Sequence, residues 1–241
     1  MELLTQSQRD PPPSSRIWLS VEHDFWHTLW ADKEIHFHEG EPNSLLVKHF
    51  ASLGLQRGER VFLPLCGKTR DIAWLLGQGC RVAGAELNET AVKELFEELG
   101  LEPRVEELDE LHHYSAPDVD IYLGDIFRLS KELLGTVHGI YDRAALVALP
   151  RETRSRYAAH LLEITTAAPQ LLITFQYDQS QMDGPPFSIS LEELDSHYGD
   201  VFEIERLESL EVRGFKGVVD ARESICRLKP KARDSRDSRS S

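Results

Sequence analysis

The sequence is short of cysteine, with only Cys66, Cys80 and Cys226 in 241 residues. Three thiols, an odd number, cannot staple a disulfide framework, so the chain is expected to fold around an apolar core in a reducing compartment. Positive charge is scarce too: 27 Lys and Arg stand against 41 Asp and Glu, for a net charge of −14. A surface of that sign repels phosphate backbones, which excludes nucleic acid as an expected partner. No apolar run is long enough to cross a bilayer, and the first twenty residues hold no signal-peptide core. These absences point to a cytoplasmic protein with no membrane partner, expected to act as a monomer. Repeats at solenoid or propeller spacing are missing as well.

What is present suits one α/β domain of ordinary size: 41% apolar residues and 28% charged ones. Residues 1–20, with Pro11-Pro12-Pro13 and Ser14-Ser15, read as a flexible leader, residues 21–228 as the folded domain, and residues 229–241 as a disordered charged tail.

The stretch from Arg60 to Leu87 organises the rest. Val61 to Leu65 is the apolar run of a buried strand, Gly67 marks a sharp turn, and Asp71 to Leu76 has helical spacing. Gly77 and Gly79 close that helix before a second apolar run, Arg81 to Ala85, with Glu86 at its carboxyl end. In a right-handed βαβ unit neighbouring strand tips lie side by side, so Gly67 and Glu86 are expected to face each other across an adenosine-sized slot. An acid there can accept the ribose hydroxyls of a nucleotide-like ligand.

Further strands are expected at Asp120–Leu123, up to Tyr141, and at Leu171–Tyr177. Helices are expected over 43–53, 88–99, 150–167 and 191–198, and an antiparallel pair over 202–212 and 223–228. Glu102 to Ser115 reads as irregular. Chemistry-bearing residues follow the strand tips: Asp125, which can bind an adenine amino group or cap a helix; Asp142 and Arg143, a salt bridge or a contact to a charged ligand; and Tyr177-Asp178. Phe187 follows the rigid Gly184-Pro185-Pro186 turn. Near the amino terminus Phe25, Trp26, Leu29 and Trp30 share one face of a helix over 21–31, where the tryptophans either pack on the core or cover a ligand. His23 and His27, His36 and His38, and His112-His113 have no acid or cysteine to complete a ligand set, so no metal is expected.

These elements make one doubly wound sheet. A dinucleotide site wants three glycines after the first strand, whereas Pro64-Leu65-Cys66-Gly67-Lys68 offers one. The turn suits an adenosyl ligand without phosphate, and S-adenosylmethionine is that ligand.

Five segments carry a family resemblance: Phe25–Trp30, Ile35–His38, Phe62–Lys68, Tyr141–Leu149, and Tyr177-Asp178 through Phe187. Over roughly residues 23–228 the chain resembles the bacterial type of the thiopurine S-methyltransferase family. The resemblance implies a Rossmann-like methyltransferase sheet of order 3-2-1-4-5-7-6 with its last strand antiparallel, an N-terminal helical cover, and S-adenosylmethionine converted to S-adenosylhomocysteine. It implies donor contacts at Trp30, Leu65, Glu86, Ile126 and Arg143, with Trp26, Gly67, Leu87 and Asp125 close by. It places Phe37 and Phe187 in the acceptor pocket, which Arg143 also reaches. The implied acceptors are small aromatic or heterocyclic thiols, with selenium and tellurium compounds beside them.

A sulfonium methyl is already activated, so an acceptor thiolate need only arrive in line. Asp142, Arg143 and Asp178 are the candidates for assisting it. Cys66 is expected to be an apolar filler, since direct transfer needs no covalent intermediate. Two other readings stay open: a halide- or thiocyanate-type methyltransferase of the same fold, and a non-catalytic protein that binds the donor or a metalloid.

Overall fold

The computed structural model describes residues 40–232. The leader, the helix over 21–31 and the N-terminal helical cover lie outside the described residues, as do residues 233–241. In chain order the strands are β1 (Arg60–Leu63), β2 (Arg81–Glu86), β3 (Arg104–Leu108), β4 (Leu111–Ala116), β5 (Val119–Leu123), β6 (Gly139–Asp142), β7 (Gln170–Gln176), β8 (Phe202–Phe215) and β9 (Val219–Pro230). The helices are α1 (Ser44–His49), α2 (Arg70–Gly77), α3 (Glu89–Leu99), α4 (Lys131–Leu134), α5 (Arg151–Thr165) and α6 (Leu191–Tyr198).

The nine strands among the described residues form one sheet in the order β3-β4-β5-β2-β1-β6-β7-β9-β8. β5, β2, β1, β6 and β7 run parallel, and β9 runs antiparallel between β7 and β8. Set aside β3 and β4, and this is the expected order, antiparallel final strand included. The β3–β4 hairpin corrects the irregular reading of Glu102–Ser115. It sits at the sheet edge, where β3 (Arg-Val-Glu-Glu-Leu) is charged and has no buried residue. An edge strand needs no apolar face and is guarded by charge, so the period-two signal was missing.

Side chains alternate across the sheet and build two cores. On one face Phe62, Ala83, Tyr122 and Leu172 meet Tyr157 and Leu161 of α5 and Leu194 and Tyr198 of α6. On the other, Val61, Leu63, Val82 and Ile121 meet α1, α2 and α3 through Leu46, Ile72, Leu75, Val92 and Leu95. The helix ends follow local chemistry. Asn43, Thr69, Asn88 and Ser190 cap α1, α2, α3 and α6 with their side-chain oxygens, and Gly100 closes α3 in the left-handed region at φ 67°. β9 continues through Pro230, because Lys229 and Pro230 pair with Glu203 and Phe202.

Candidate active site

Because five strands run parallel, their carboxyl ends share one edge, and the sequence-predicted residues from Leu65 to Asp178 collect there. Two backbone bonds tie the central tips together: Cys66 N–H donates to Ala85 O at 2.9 Å and Gly124 N–H to Glu86 O at 2.8 Å. The β1 turn holds two left-handed residues, Leu65 at φ 47° and Gly67 at φ 53°. Leu65 is not a glycine, and such strain is typical of turns shaped for a ligand.

Glu86 is 7% exposed. Its Oε2 accepts from Gly67 N–H at 2.6 Å, and its Oε1 accepts from Leu87 and Asn88 N–H at 2.8 Å each. The expected pair is therefore adjacent but bonded directly, with no slot between. Burial pushes the carboxyl above its ordinary range, while the three backbone donors pull against that rise. A carboxylate offers about four lone-pair positions, and three are taken here. The arrangement also explains the single glycine. The Gly67 N–H, which in a phosphate cradle would face the ligand, is spent on a carboxylate that would itself repel phosphate. The turn fits an adenosyl group and rejects a pyrophosphate.

Cys66 is buried, its thiol pushed well above the ordinary range by burial and then by Glu86. It fills the space over Gly84, where an added Cβ would lie 2.7 Å from its Sγ. Lys68 pairs with Glu94 at 2.7 Å and Glu98 at 2.9 Å, both on α3. Asp125 caps the short 3-10 turn Ile126–Arg128, accepting from Phe127 N–H at 3.0 Å, and Ile126 is buried behind it.

At the end of β6, Asp142 is 0% exposed. Its Oδ1 accepts from Leu146 N–H at 3.1 Å and its Oδ2 from the Tyr157 hydroxyl at 2.7 Å. Burial raises its carboxyl to about 6. These bonds fasten the loop that carries Arg143, which is half-buried, and Ala144, which sits at φ 60°. Asp178 is exposed and occupied otherwise: it accepts from Ser180 N–H and Oγ and from Gln181 Nε2, bonds that lower its carboxyl.

The Gly184–Phe187 turn is held from several sides. Phe187 N–H donates to Val147 O at 2.7 Å, the Tyr177 hydroxyl to Pro186 O at 2.7 Å, and Ser188 N–H to Gln179 Oε1 at 2.8 Å. Arg154 stands under the Phe187 ring with its Cζ 5.2 Å from the centroid. Sequence reading passed over Arg154, although a signal was there: it falls one turn before Tyr157 and two before Leu161, on the inward stripe of α5, where an arginine is out of place.

Trp26, Trp30 and Phe37 lie outside the described residues, as do His23, His27, His36 and His38. Among the described residues no group of three or more His, Cys, Asp or Glu is placed to hold a metal. His113 bonds Asp120 at 2.9 Å and stacks on Tyr122. No described helix is long and apolar enough to cross a membrane.

A doubly wound sheet of this order, with a one-glycine turn bonded to an acid at the neighbouring tip, defines an S-adenosylmethionine-dependent methyltransferase. Solved structures agree on the fold. A Burkholderia thailandensis 1,6-didemethyltoxoflavin-N1-methyltransferase, solved with S-adenosylhomocysteine, superposes with a TM-score of 0.63 at 17% identity, over 92% of this chain and 93% of that one. A TehB-like SAM-dependent methyltransferase from Corynebacterium glutamicum gives 0.52 at 13% identity, over 88% and 100%. The family model for thiopurine S-methyltransferase matches residues 21–231. Proteins named thiopurine S-methyltransferase from Xanthobacter autotrophicus and Gluconobacter oxydans are 52% and 45% identical, covering 85% and 86% of this chain and 97% and 94% of the relatives. The chain belongs to the thiopurine S-methyltransferase family.

Proposed function

We propose that the chain methylates the sulfur of small aromatic or heterocyclic thiols, with selenium and tellurium compounds as further acceptors. The observation that carries this reading is the state of the two candidate bases. Asp142 is sealed from solvent and bonded to Leu146 N–H and the Tyr157 hydroxyl, and Asp178 is a surface cap with a lowered carboxyl. Neither is built to take a proton from an acceptor. Acceptors that ionise unaided near neutral pH, as heterocyclic and aryl thiols do, fit such a site.

In this reading Glu86, Gly67, Leu65 and Leu87 hold the donor's ribose side, Asp125 and Ile126 its adenine, and Arg143 its charged end; the family resemblance adds Trp26 and Trp30 as donor contacts. Phe37 and Phe187 line the acceptor pocket, and the Arg143 guanidinium draws the thiolate in. The donor, once bound, supplies an electrophilic methyl that requires only in-line approach to about 3–3.5 Å. The protein's share is positioning and the exclusion of water. The working unit is the stretch 21–228, carried on by β9 to Pro230, with the leader and tail outside the reaction.

Incubation with labelled donor and a panel of aryl thiols, selenols and tellurite tests the reading. Methyl transfer to at least one aryl thiol is expected, and no transfer to any of them overturns it. Volatile methyl halide or methyl thiocyanate as the main product would assign the other acceptor class. Donor binding without turnover on any acceptor would make the chain a binding protein.

A further inference from the structure

Arg154 has an unusual position for an arginine. It is 3% exposed on the inward stripe of α5. Its Nε donates to Leu149 O at 2.8 Å, its Nη1 to Glu193 Oε1 of α6 at 2.6 Å, and its Cζ lies 5.2 Å from the Phe187 centroid. The ring is also crowded by the turn before it. Gly184 sits at φ 83°, and a Cβ there would come within 2.6 Å of Phe187 Cδ1. The backbone of Phe187 hangs from Val147 O, in the same loop that Arg154 anchors at Leu149. One guanidinium thus grips the loop that suspends Phe187 and backs the ring itself.

A salt bridge that served only to join α5 to α6 would need Arg154 and Glu193 and nothing more. A planar, delocalised cation that forks to a carbonyl and a carboxylate while it stands over an aromatic ring is suited to fixing that ring's orientation. Lysine, a point charge on a flexible stem, cannot do all three.

We propose that Arg154 is a positioning residue for the acceptor: held by Glu193 and Leu149, its guanidinium fixes the orientation of the Phe187 ring against which an aromatic thiol packs. The inference rests on the reading that Phe187 lines the acceptor pocket.

The test uses the full chain, thiophenol as acceptor, and calorimetric binding of S-adenosylhomocysteine. Phe187→Ala, Arg154→Met, Arg154→Lys and the double variant Phe187→Ala/Arg154→Met are compared. Arg154→Met and Arg154→Lys are each expected to raise the thiophenol KM roughly tenfold while leaving S-adenosylhomocysteine affinity at its wild-type value. If Arg154 acts through the ring, the double variant is no worse than Phe187→Ala alone. Single-variant effects that multiply, or a parallel loss of S-adenosylhomocysteine affinity, overturn the inference. Failure of both Arg154 variants to fold overturns it too, because the residue would then serve the fold. A thiophenol KM unmoved by Phe187→Ala removes the acceptor-pocket reading and the inference with it. A KM moved by Phe187→Ala but by neither Arg154 variant sinks the inference and leaves that reading standing.

Discussion

Replacing Glu86 by Gln tests the donor site with little change in shape. The amide oxygen can keep the two bonds that Oε1 accepts from Leu87 and Asn88. The amide nitrogen then faces the Gly67 N–H, donor against donor, where a carboxylate oxygen now accepts at 2.6 Å. About one lone-pair position of the carboxylate remains for a ribose hydroxyl, and in the variant it is lost or neutral. Hydrogen bonds to a charged group contribute about 1.5–3 kcal/mol, so donor affinity should fall roughly 10- to 150-fold. Titration calorimetry with S-adenosylhomocysteine measures this directly, and urea unfolding shows whether the fold survives. A pH series adds a second arm. Burial raises the Glu86 carboxyl, so acidification through that raised value protonates it and weakens wild-type binding, whereas the Gln variant should show no such limb. An unchanged dissociation constant in Glu86→Gln would refute the assignment of Glu86 to the ribose.

Three further outcomes are expected. Asp142 has its carboxyl raised from 3.8 to about 6, so the folded state binds the proton more tightly and this group's contribution to stability is lost as pH rises through that window. The loss corresponds to about 3 kcal/mol, and urea midpoints of Asp142→Asn across pH 4–7 should lack that part of the wild-type decline; identical slopes in both proteins would count against it. Gly84→Ala puts a Cβ 2.7 Å from both Cys66 Sγ and Ile121 Cδ1 and should destabilise by about 1–3 kcal/mol, with Cys66→Ala recovering part of the loss in thermal melts. Full additivity of the two changes would show that the crowding is elsewhere. Asp178→Asn should leave the pH–rate profile where it is, since a surface cap with a lowered carboxyl moves no proton; loss of an ionisation from the profile would restore Asp178 as a base.

The order of elements was readable because apolar runs, glycine stops and Asn caps are local signals. Val61–Leu63, Gly67, Glu86, Asn88 and Gly100 stand where the sequence put them. The same holds for the strand tips, since parallel βαβ connections have one hand and leave their carboxyl ends on one edge. What the chain alone could not settle was which way a side chain at a tip would turn. Asp142, Asp178 and Glu86 are all acids at strand ends. One is sealed beneath its loop by Tyr157, one caps a surface turn, and one binds the neighbouring glycine. The difference comes from partners far apart in sequence, brought near by packing, and a linear pattern does not encode them.

Sequence by itself determined the seven-strand part of the sheet and its single-glycine turn, because turn geometry and strand burial depend on neighbours within a few residues. Tertiary structure alone decided that Gly67 and Glu86 touch, that β3 and β4 guard an edge, and that an arginine on the buried stripe of α5 backs the ring of Phe187. Each of those depends on free energies of burial and hydrogen bonding between segments that meet only after the chain has folded.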